Sequence, residues 1–239
     1  VHGYVRYTEV VDGNVEVKAT WTTGKVGMTG TSYEGTLPLA AATTGVKGLE
    51  AIIPISPNTS YYHYYRSNGL VRSPGGYLGE DVSVLYDFVH SGDPAIRPIC
   101  DQLIRDGLFA KYNDRATGDY SNFWADRDLL PKVKKIKAAV LLAHGTNDWN
   151  VTPDHSVRIY EALKARKSPA MLYLHQGGHG GPPPMAVMNR WWSHYLYGID
   201  NGIDKDPRAL IMREGGGRGA APVAYADYPI PGTAPVTLY

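Results

Sequence analysis

The sequence predicts an α/β fold: a largely parallel sheet with helices on both faces. Apolar runs at 51–55, 138–143 and 170–174 are continuous rather than alternating, as strands covered on both sides require. A strong helical stripe follows the last of them, with Met188, Trp191, Trp192, Tyr195 and Leu196 at i, i+3, i+4, i+7 and i+8. Strands that alternate with such helices pair in parallel, because each crossover returns the chain to the same sheet.

The opening twenty residues are polar and mixed, without a strong period. Residues 25–29 read as a short buried strand that runs into Gly30-Thr31-Ser32-Tyr33-Glu34-Gly35. A helix of small residues follows at 37–42, with Pro38 tolerated in its first turn. The run at 51–55, bounded by Gly48 and Pro57, is the next strand. Residues 58–130 differ in character: rich in Tyr, Gly, Asp and Arg, they hold short helical patches at 82–90 and 99–109 and no strand alternation. They are expected to form a helical cap inserted over the sheet edge. The strand at 138–143 leads through a loop to a helix from Pro153, with Thr152 as N-cap and Val157, Tyr160 and Leu163 on one face. Beyond Pro207 the chain turns to Gly, Pro and short β-like pieces (209–212, 236–239), expected to open a C-terminal β domain. The expected division is therefore 1–57 and 131–206 as two parts of one core, 58–130 as cap, and 207–239 as the start of that β domain.

With 239 residues, 43% hydrophobic and 20% charged, the chain can bury a substantial core. Its 24 basic and 23 acidic residues give a net charge of +1, so there is no electrostatic case for nucleic acid or an anionic membrane as partner. Cys100 stands alone, which removes any internal disulfide and any Cys/His metal cluster; neither metal nor cofactor is expected. No apolar run approaches the ~20 residues that span a bilayer. Val1-His2-Gly3-Tyr4 has no initiating Met and no leader pattern, so a processed or incomplete chain is expected. Tyrosines number 18 against 3 phenylalanines, which suits a partly polar, lined pocket.

The chemistry is suggested by three strand ends. A serine hydroxyl is a poor nucleophile until a base sits beside it, itself oriented by a carboxylate. On a parallel sheet the three converge only from positions just past the carboxyl ends of strands. Ser32, Asp148 and His179 occupy such positions, in the order nucleophile, acid, base that an α/β-hydrolase sheet uses. Ser32 sits in a tight turn flanked by Gly30 and Gly35; the common G-x-S-x-G pattern is not met, because Glu34 stands where the second glycine belongs. Tyr33 would offer its backbone N–H to an oxyanion. An aspartate in a turn is usually just a turn former, and Asp148 gains weight from lying between the other two; Asp154 is the alternative acid. His179, among four glycines, has little packing reason to exist, whereas His175 and His144 read as rim or core histidines. His2, His63, His90, His155 and His194 have no evident partners. Gly215-Gly216-Gly217-Arg218-Gly219 is a linker rather than a phosphate loop, and the lysines of 132–137 form a solvated strand approach.

Gly30-Thr31-Ser32-Tyr33-Glu34-Gly35 resembles the G-x-S-Y-x-G elbow of the X-prolyl dipeptidyl aminopeptidase family, which includes cocaine esterase-like and α-amino-acid ester hydrolases. Tyr61-Tyr62-His63-Tyr64-Tyr65-Arg66-Ser67-Asn68-Gly69 is similar to its aromatic segment, Asn147-Asp148-Trp149-Asn150-Val151 to its acid loop, and Gly178-His179-Gly180 to its base loop. Spacings of 116 residues from Ser32 to Asp148 and 31 from there to His179 agree, and the likeness runs from about Trp21 to Arg213. It implies removal of N-terminal dipeptides whose second residue is proline, with Tyr61, Tyr64 and Val151 lining the proline pocket and Tyr62 and Trp149 as further neighbours. The partner implied is a peptide with an Xaa-Pro terminus. The resemblance and the Tyr-rich, Lys-poor cap favour a secreted enzyme. Only 31 residues precede Ser32, so the family's early strands and the source of its second oxyanion donor, a tyrosine hydroxyl, are expected to lie in missing segments of a larger polypeptide. No residue stands out to hold a substrate ammonium; Glu34, Glu80 and Asp87 are the candidates. An esterase on the same machinery and a non-catalytic fragment are the competing readings.

Overall fold

The computed structural model describes residues 4–6, 16–18, 20–67, 69–72, 81–89, 93–215 and 220–237. Within them an antiparallel pair, β1 (Tyr4–Arg6) and β2 (Glu16–Lys18), forms in the stretch whose sequence shows no period. β3 (Val26–Thr31) delivers the chain to α1 (Tyr33–Thr43), and β4 (Leu49–Ile55) follows. Next come α2 (Tyr61–Tyr65), a two-residue pair β5 (Arg66–Ser67) and β6 (Leu70–Val71), and α3 (Val82–Val89). Then α4 (Arg97–Cys100), a π-wound stretch (Asp101–Phe109) and α5 (Ala110–Tyr112) run on as one helical rod, with α6 (Asn122–Ala125) beyond. β7 (Ala139–Gly145), α7 (Asp154–Ala165), β8 (Ala170–His175), α8 (Met185–Tyr197), β9 (Ala209–Ile211) and β10 (Val223–Tyr225) complete the described chain.

Six strands make the main sheet, in the order β10-β9-β8-β7-β4-β3. It is parallel from β3 to β9, and β10 closes it antiparallel. Successive side chains of a strand point to opposite faces, and the core divides accordingly. Val140, Leu142, Leu172 and Leu174 meet Leu39 of α1 and Ile159 and Leu163 of α7. Leu141, Ala143, Met171 and Tyr173 face the other way, onto Trp191 of α8. Each such side chain contributes about 1.5–3 kcal/mol by leaving water. α8 lies so close on β3 that a methyl at Gly27 would stand 2.6 Å from the Trp192 ring.

The segment between the neighbouring strands β4 and β7 has a small core of its own, built from Tyr64, Tyr65, Val82, Phe123 and Trp124. Val151, from the loop after β7, completes it and seats the insertion on the sheet. Arg66 is fully buried at its centre, paired with Asp81 at 2.9 Å, donating to Asn113 and lying 5.0 Å from the Trp124 ring. A buried charge persists only when paired in this way.

Several expectations are revised. Residues from 207 on were expected to open a separate β domain, yet β9 and β10 extend the main sheet, and Tyr225, Tyr228 and Ile230 pack on its core. Tyr160 donates to Asp227 at 2.7 Å and Lys164 to the Tyr228 carbonyl at 2.8 Å, which ties this segment onto α7. The Ala209–Ile211 run is strand, as its β-like sequence predicts, but it pairs with β8 in the main sheet. Residues 58–130 do contain strand, the two-residue pair β5–β6, too short to show alternation. β3 continues to Thr31, directly before Ser32. α7 begins at Asp154, with Pro153 in the capping position, and the Thr152 hydroxyl donates to the Asp154 carboxylate instead of capping the backbone. His2, Glu80, His90 and residues 216–219 lie outside the described residues.

Candidate active site

Ser32 sits at the junction of β3 and α1 with φ 61° and ψ −125°, a conformation that a non-glycine residue adopts at a cost of about 1–3 kcal/mol. Its surroundings hold it there. The Ser32 N–H donates to the Ile55 carbonyl at 2.9 Å, and the Ser32 carbonyl accepts from the N–H groups of Gly35 (2.9 Å) and Thr36 (3.0 Å). A methyl at Gly30 would stand 2.4 Å from the Glu34 carbonyl oxygen, and one at Gly35 2.6 Å from the Ile55 carbonyl oxygen. The displaced glycine is thereby explained: Gly35, not position 34, is where α1 presses on the end of β4. Tyr33 is the first residue of α1, so its N–H has no intrahelical partner and lies at the positive end of the helix.

Ser32 and Tyr33 open on a cavity of about 710 Å³. Tyr61, Tyr64 and Val151 line it, together with Val82, Leu85, Ile104, Leu108 and Phe109. The Tyr64 hydroxyl donates to Asn150 at 3.1 Å. Burial, and then the neighbouring Tyr33 and Tyr64, push the Tyr61 hydroxyl up to about 12, so it remains a neutral donor. Tyr62 and Trp149 are not brought to this cavity. Tyr62 is one residue on from Tyr61 and turns away around α2; its hydroxyl donates to the Gly118 carbonyl and its ring meets Tyr120 edge-on at 4.9 Å. Trp149 lies in the loop after β7 and is 65% exposed. Among the described lining residues Arg127 is the one charged group. Of the carboxylates expected to serve an ammonium, Glu34 is exposed on α1, and Asp87 is paired with Arg97 (2.8 Å) and Arg105 (3.2 Å).

Asp148 and His179 come together directly. His179 Nδ1 stands 2.7 Å from Asp148 Oδ2, the carboxylate side chain being 0% and the imidazole 33% exposed. Since the carboxylate only accepts, the proton of that bond is on Nδ1, and Nε2 of a neutral His179 carries the lone pair. Asp148 Oδ1 accepts from the N–H groups of Asn150 (3.1 Å) and Val151 (3.0 Å). Burial alone would push this carboxyl up; hydrogen bonds from His144 and His179 outweigh it and hold the group well below the usual carboxylate range. Asp154, the alternative acid, faces Arg158 at 3.4 Å and is half exposed. Ser32 Oγ makes no hydrogen bond to His179 among the described residues. The two are related through their neighbours: a methyl at Gly180 would touch the Thr31 side chain at 3.6 Å.

Three residues take a part that the sequence does not announce. Buried His144 has Nδ1 2.7 Å from Ser156 Oγ, and its Nε2 faces two acceptors, the Val151 carbonyl (2.7 Å) and Asp148 Oδ2 (3.3 Å). Ser56 Oγ accepts from the Gly180 N–H at 3.0 Å and so ties the loop that carries His179 to the end of β4. His175 lies inside that same loop, with ring nitrogens on Gly177 and Gly180. His144 and His175 lie at the ends of β7 and β8, where the sequence reads them only as core or rim histidines, and nothing in it hints at Ser56.

A family profile described as X-Pro dipeptidyl-peptidase (S15 family) matches residues 8–181, a span that holds Ser32, Asp148 and His179. The chain belongs to this family. A Rhodopirellula baltica protein, provisionally named a Xaa-Pro dipeptidyl-peptidase, is 61% identical over 228 residues, 95% of this chain and 36% of that protein. The Xaa-Pro dipeptidyl-peptidase of Lactiplantibacillus plantarum is 45% identical over 202 residues, 80% of this chain and 25% of its own length. The chain thus spans a quarter to about a third of the S15 relatives it matches. Among solved structures, an aminopeptidase from the marine sediment archaeon Thaumarchaeota archaeon superposes with TM-score 0.61 at 17% identity, over 87% of this chain and 40% of that one. A CocE/NonD family hydrolase from Staphylococcus aureus gives 0.59 at 16% identity, over 89% and 36%. These two share the α/β-hydrolase fold.

Proposed function

We propose that this chain supplies the catalytic core of a serine peptidase that releases N-terminal Xaa-Pro dipeptides, with Ser32 as nucleophile, His179 as base and Asp148 as acid. The observation that carries the reading is the 2.7 Å Asp148–His179 pair beside a strained serine elbow whose cavity is lined by Tyr61, Tyr64 and Val151. Aromatic faces and a branched aliphatic form a flat apolar slot for a pyrrolidine ring.

Ser32 Oγ adds to the carbonyl carbon of the proline residue while its proton passes to His179 Nε2. Asp148 stabilises the imidazolium through the Nδ1 bond. The tetrahedral oxyanion accepts from the Tyr33 N–H. Collapse breaks the C–N bond, and the departing amine takes the proton from His179. Water, deprotonated by His179, then attacks the acyl-Ser32 ester; the dipeptide leaves and the hydroxyl is restored. The substrate is a peptide with a free Xaa-Pro terminus.

One observation favours an esterase instead: no carboxylate lines the cavity among the described residues, so a substrate ammonium has no evident partner there. Hydrolysis of alanyl-prolyl-p-nitroanilide, compared between wild type and Ser32→Ala with p-nitrophenyl acetate alongside, decides between them. Anilide turnover that Ser32→Ala abolishes is the expected result. Ester turnover alone moves the assignment to the esterase, and turnover that survives in Ser32→Ala overturns both.

A further inference from the structure

We propose that His175 is a positioning residue, the internal template around which the loop carrying His179 is wound. The inference rests on the reading of His179 as base. The Gly177 N–H donates to His175 Nδ1 at 3.0 Å, so that nitrogen is the acceptor and the ring proton belongs on Nε2. Nε2 in turn stands 2.8 Å from the Gly180 carbonyl, which accepts it. One imidazole thus spans the four residues Gly177–Gly180 that present His179, gripping them at both ends.

The glycines of the loop answer to the same ring. A methyl at Gly177 would lie 2.9 Å from His175 Nδ1, and one at Gly181 only 2.3 Å from Nε2. Gly180 and Gly181 also have φ of 101° and 83°, as a chain bending tightly around an object requires. The opposite side of the loop is held from outside: Ser56 Oγ takes the Gly180 N–H, and the Asn147 side chain donates to the Gln176 carbonyl at 2.6 Å. Apart from the side chain of His179, residues 177–181 carry none of their own that could fix the loop. The ring of His175 therefore sets where the backbone at 178–179 runs, and hence whether His179 Nδ1 meets Asp148.

The test uses His175→Ala, His175→Gln and Gly177→Ala with the alanyl-prolyl anilide. A base displaced by about 1 Å costs on the order of a hundredfold in rate, so His175→Ala should lose roughly 10- to 100-fold in kcat with KM within about threefold. Gln can place an N–H near the Nε2 position, and His175→Gln should recover about tenfold of that loss. The far-downfield proton resonance of His179 Nδ1–H, read without substrate, should broaden or vanish in His175→Ala and return in His175→Gln. A folded His175→Ala with kcat within about twofold of wild type and an unchanged resonance overturns the proposal. Should that variant not fold, Gly177→Ala reads the same contact with the ring retained, and unaltered kcat and resonance there overturn it equally. Turnover that persists in Ser32→Ala would instead sink the parent reading, and the resonance would still report on the loop.

Discussion

His144 Nε2 stands 3.3 Å from Asp148 Oδ2, the oxygen that His179 Nδ1 meets from the other side. With two backbone N–H groups on Oδ1, the carboxylate is surrounded by donors in a buried place, and this holds it ionised. Because its folded pKa is depressed, the stability it contributes is complete above the ordinary value of 3.8 and is lost as pH falls toward the folded value. Asp148→Asn should therefore unfold at a lower temperature than wild type at pH 7, and the gap should narrow below about pH 4. Melting curves taken between pH 7 and pH 2.5 check this; a gap that does not depend on pH would refute it. At pH 7 the same variant should lose about 10³–10⁴-fold in kcat.

A second titration comes from His155, buried against Thr59. Burial pushes its imidazole down to about 3, and Nδ1 accepts from the Thr59 N–H at 3.1 Å. A histidine with a depressed pKa stabilises the fold fully above its unfolded value of 6.5 and loses that contribution as pH falls through the interval to about 3. From this group alone, stability should fall by about 2 kcal/mol between pH 7.5 and pH 5. His155→Asn, whose side-chain oxygen can take the Nδ1 position, should flatten that part of the curve in urea titrations. An equally steep curve in the variant would exclude His155 as the source.

The elbow predicts a steric result. A methyl at Gly35 would meet the Ile55 carbonyl oxygen at 2.6 Å and the Gly30 carbonyl oxygen at 2.9 Å, both of them backbone atoms that cannot turn aside. Gly35→Ala should destabilise by about 1–3 kcal/mol and cut the rate of fluorophosphonate labelling of Ser32 by at least about tenfold. Labelling at the wild-type rate would mean that the elbow tolerates a wider turn.

The cavity predicts a selective one. Val151→Phe adds bulk to the cavity that Ser32 shares and should raise KM for the alanyl-prolyl anilide about tenfold or more, with p-nitrophenyl acetate turnover within roughly threefold. Equal losses on both substrates would show that the substitution disturbs the nucleophile rather than the slot.

Much of this architecture can be read from the residues. Continuous runs such as Val140–Leu141–Leu142 declare strands covered on both faces, and the glycines around Ser32 and His179 declare tight loops at strand ends. Tyr61, Tyr64 and Val151 line the cavity beside which Ser32 and Tyr33 sit. What could not be read depends on neighbours distant in sequence. Ala209–Ile211 reads as β-like, but that it joins the main sheet rather than a separate domain depends on the open edge of β8. Tyr62 and Trp149 miss the cavity because helix phase and turn geometry, rather than residue type, decide where a ring points. Ser56 is an ordinary serine until Gly180, 124 residues away, places an N–H on it.

The wall of the cavity and its floor have different origins. Val82, Leu85, Tyr86, Ile104, Leu108 and Phe109 all belong to helical segments interposed between two adjacent strands, while Ser32 hangs from a strand of the sheet itself. A lineage could exchange that one contiguous stretch of gene and so re-sculpt what is admitted, while Ser32, Asp148 and His179, encoded on either side of it, pass unaltered to the descendants.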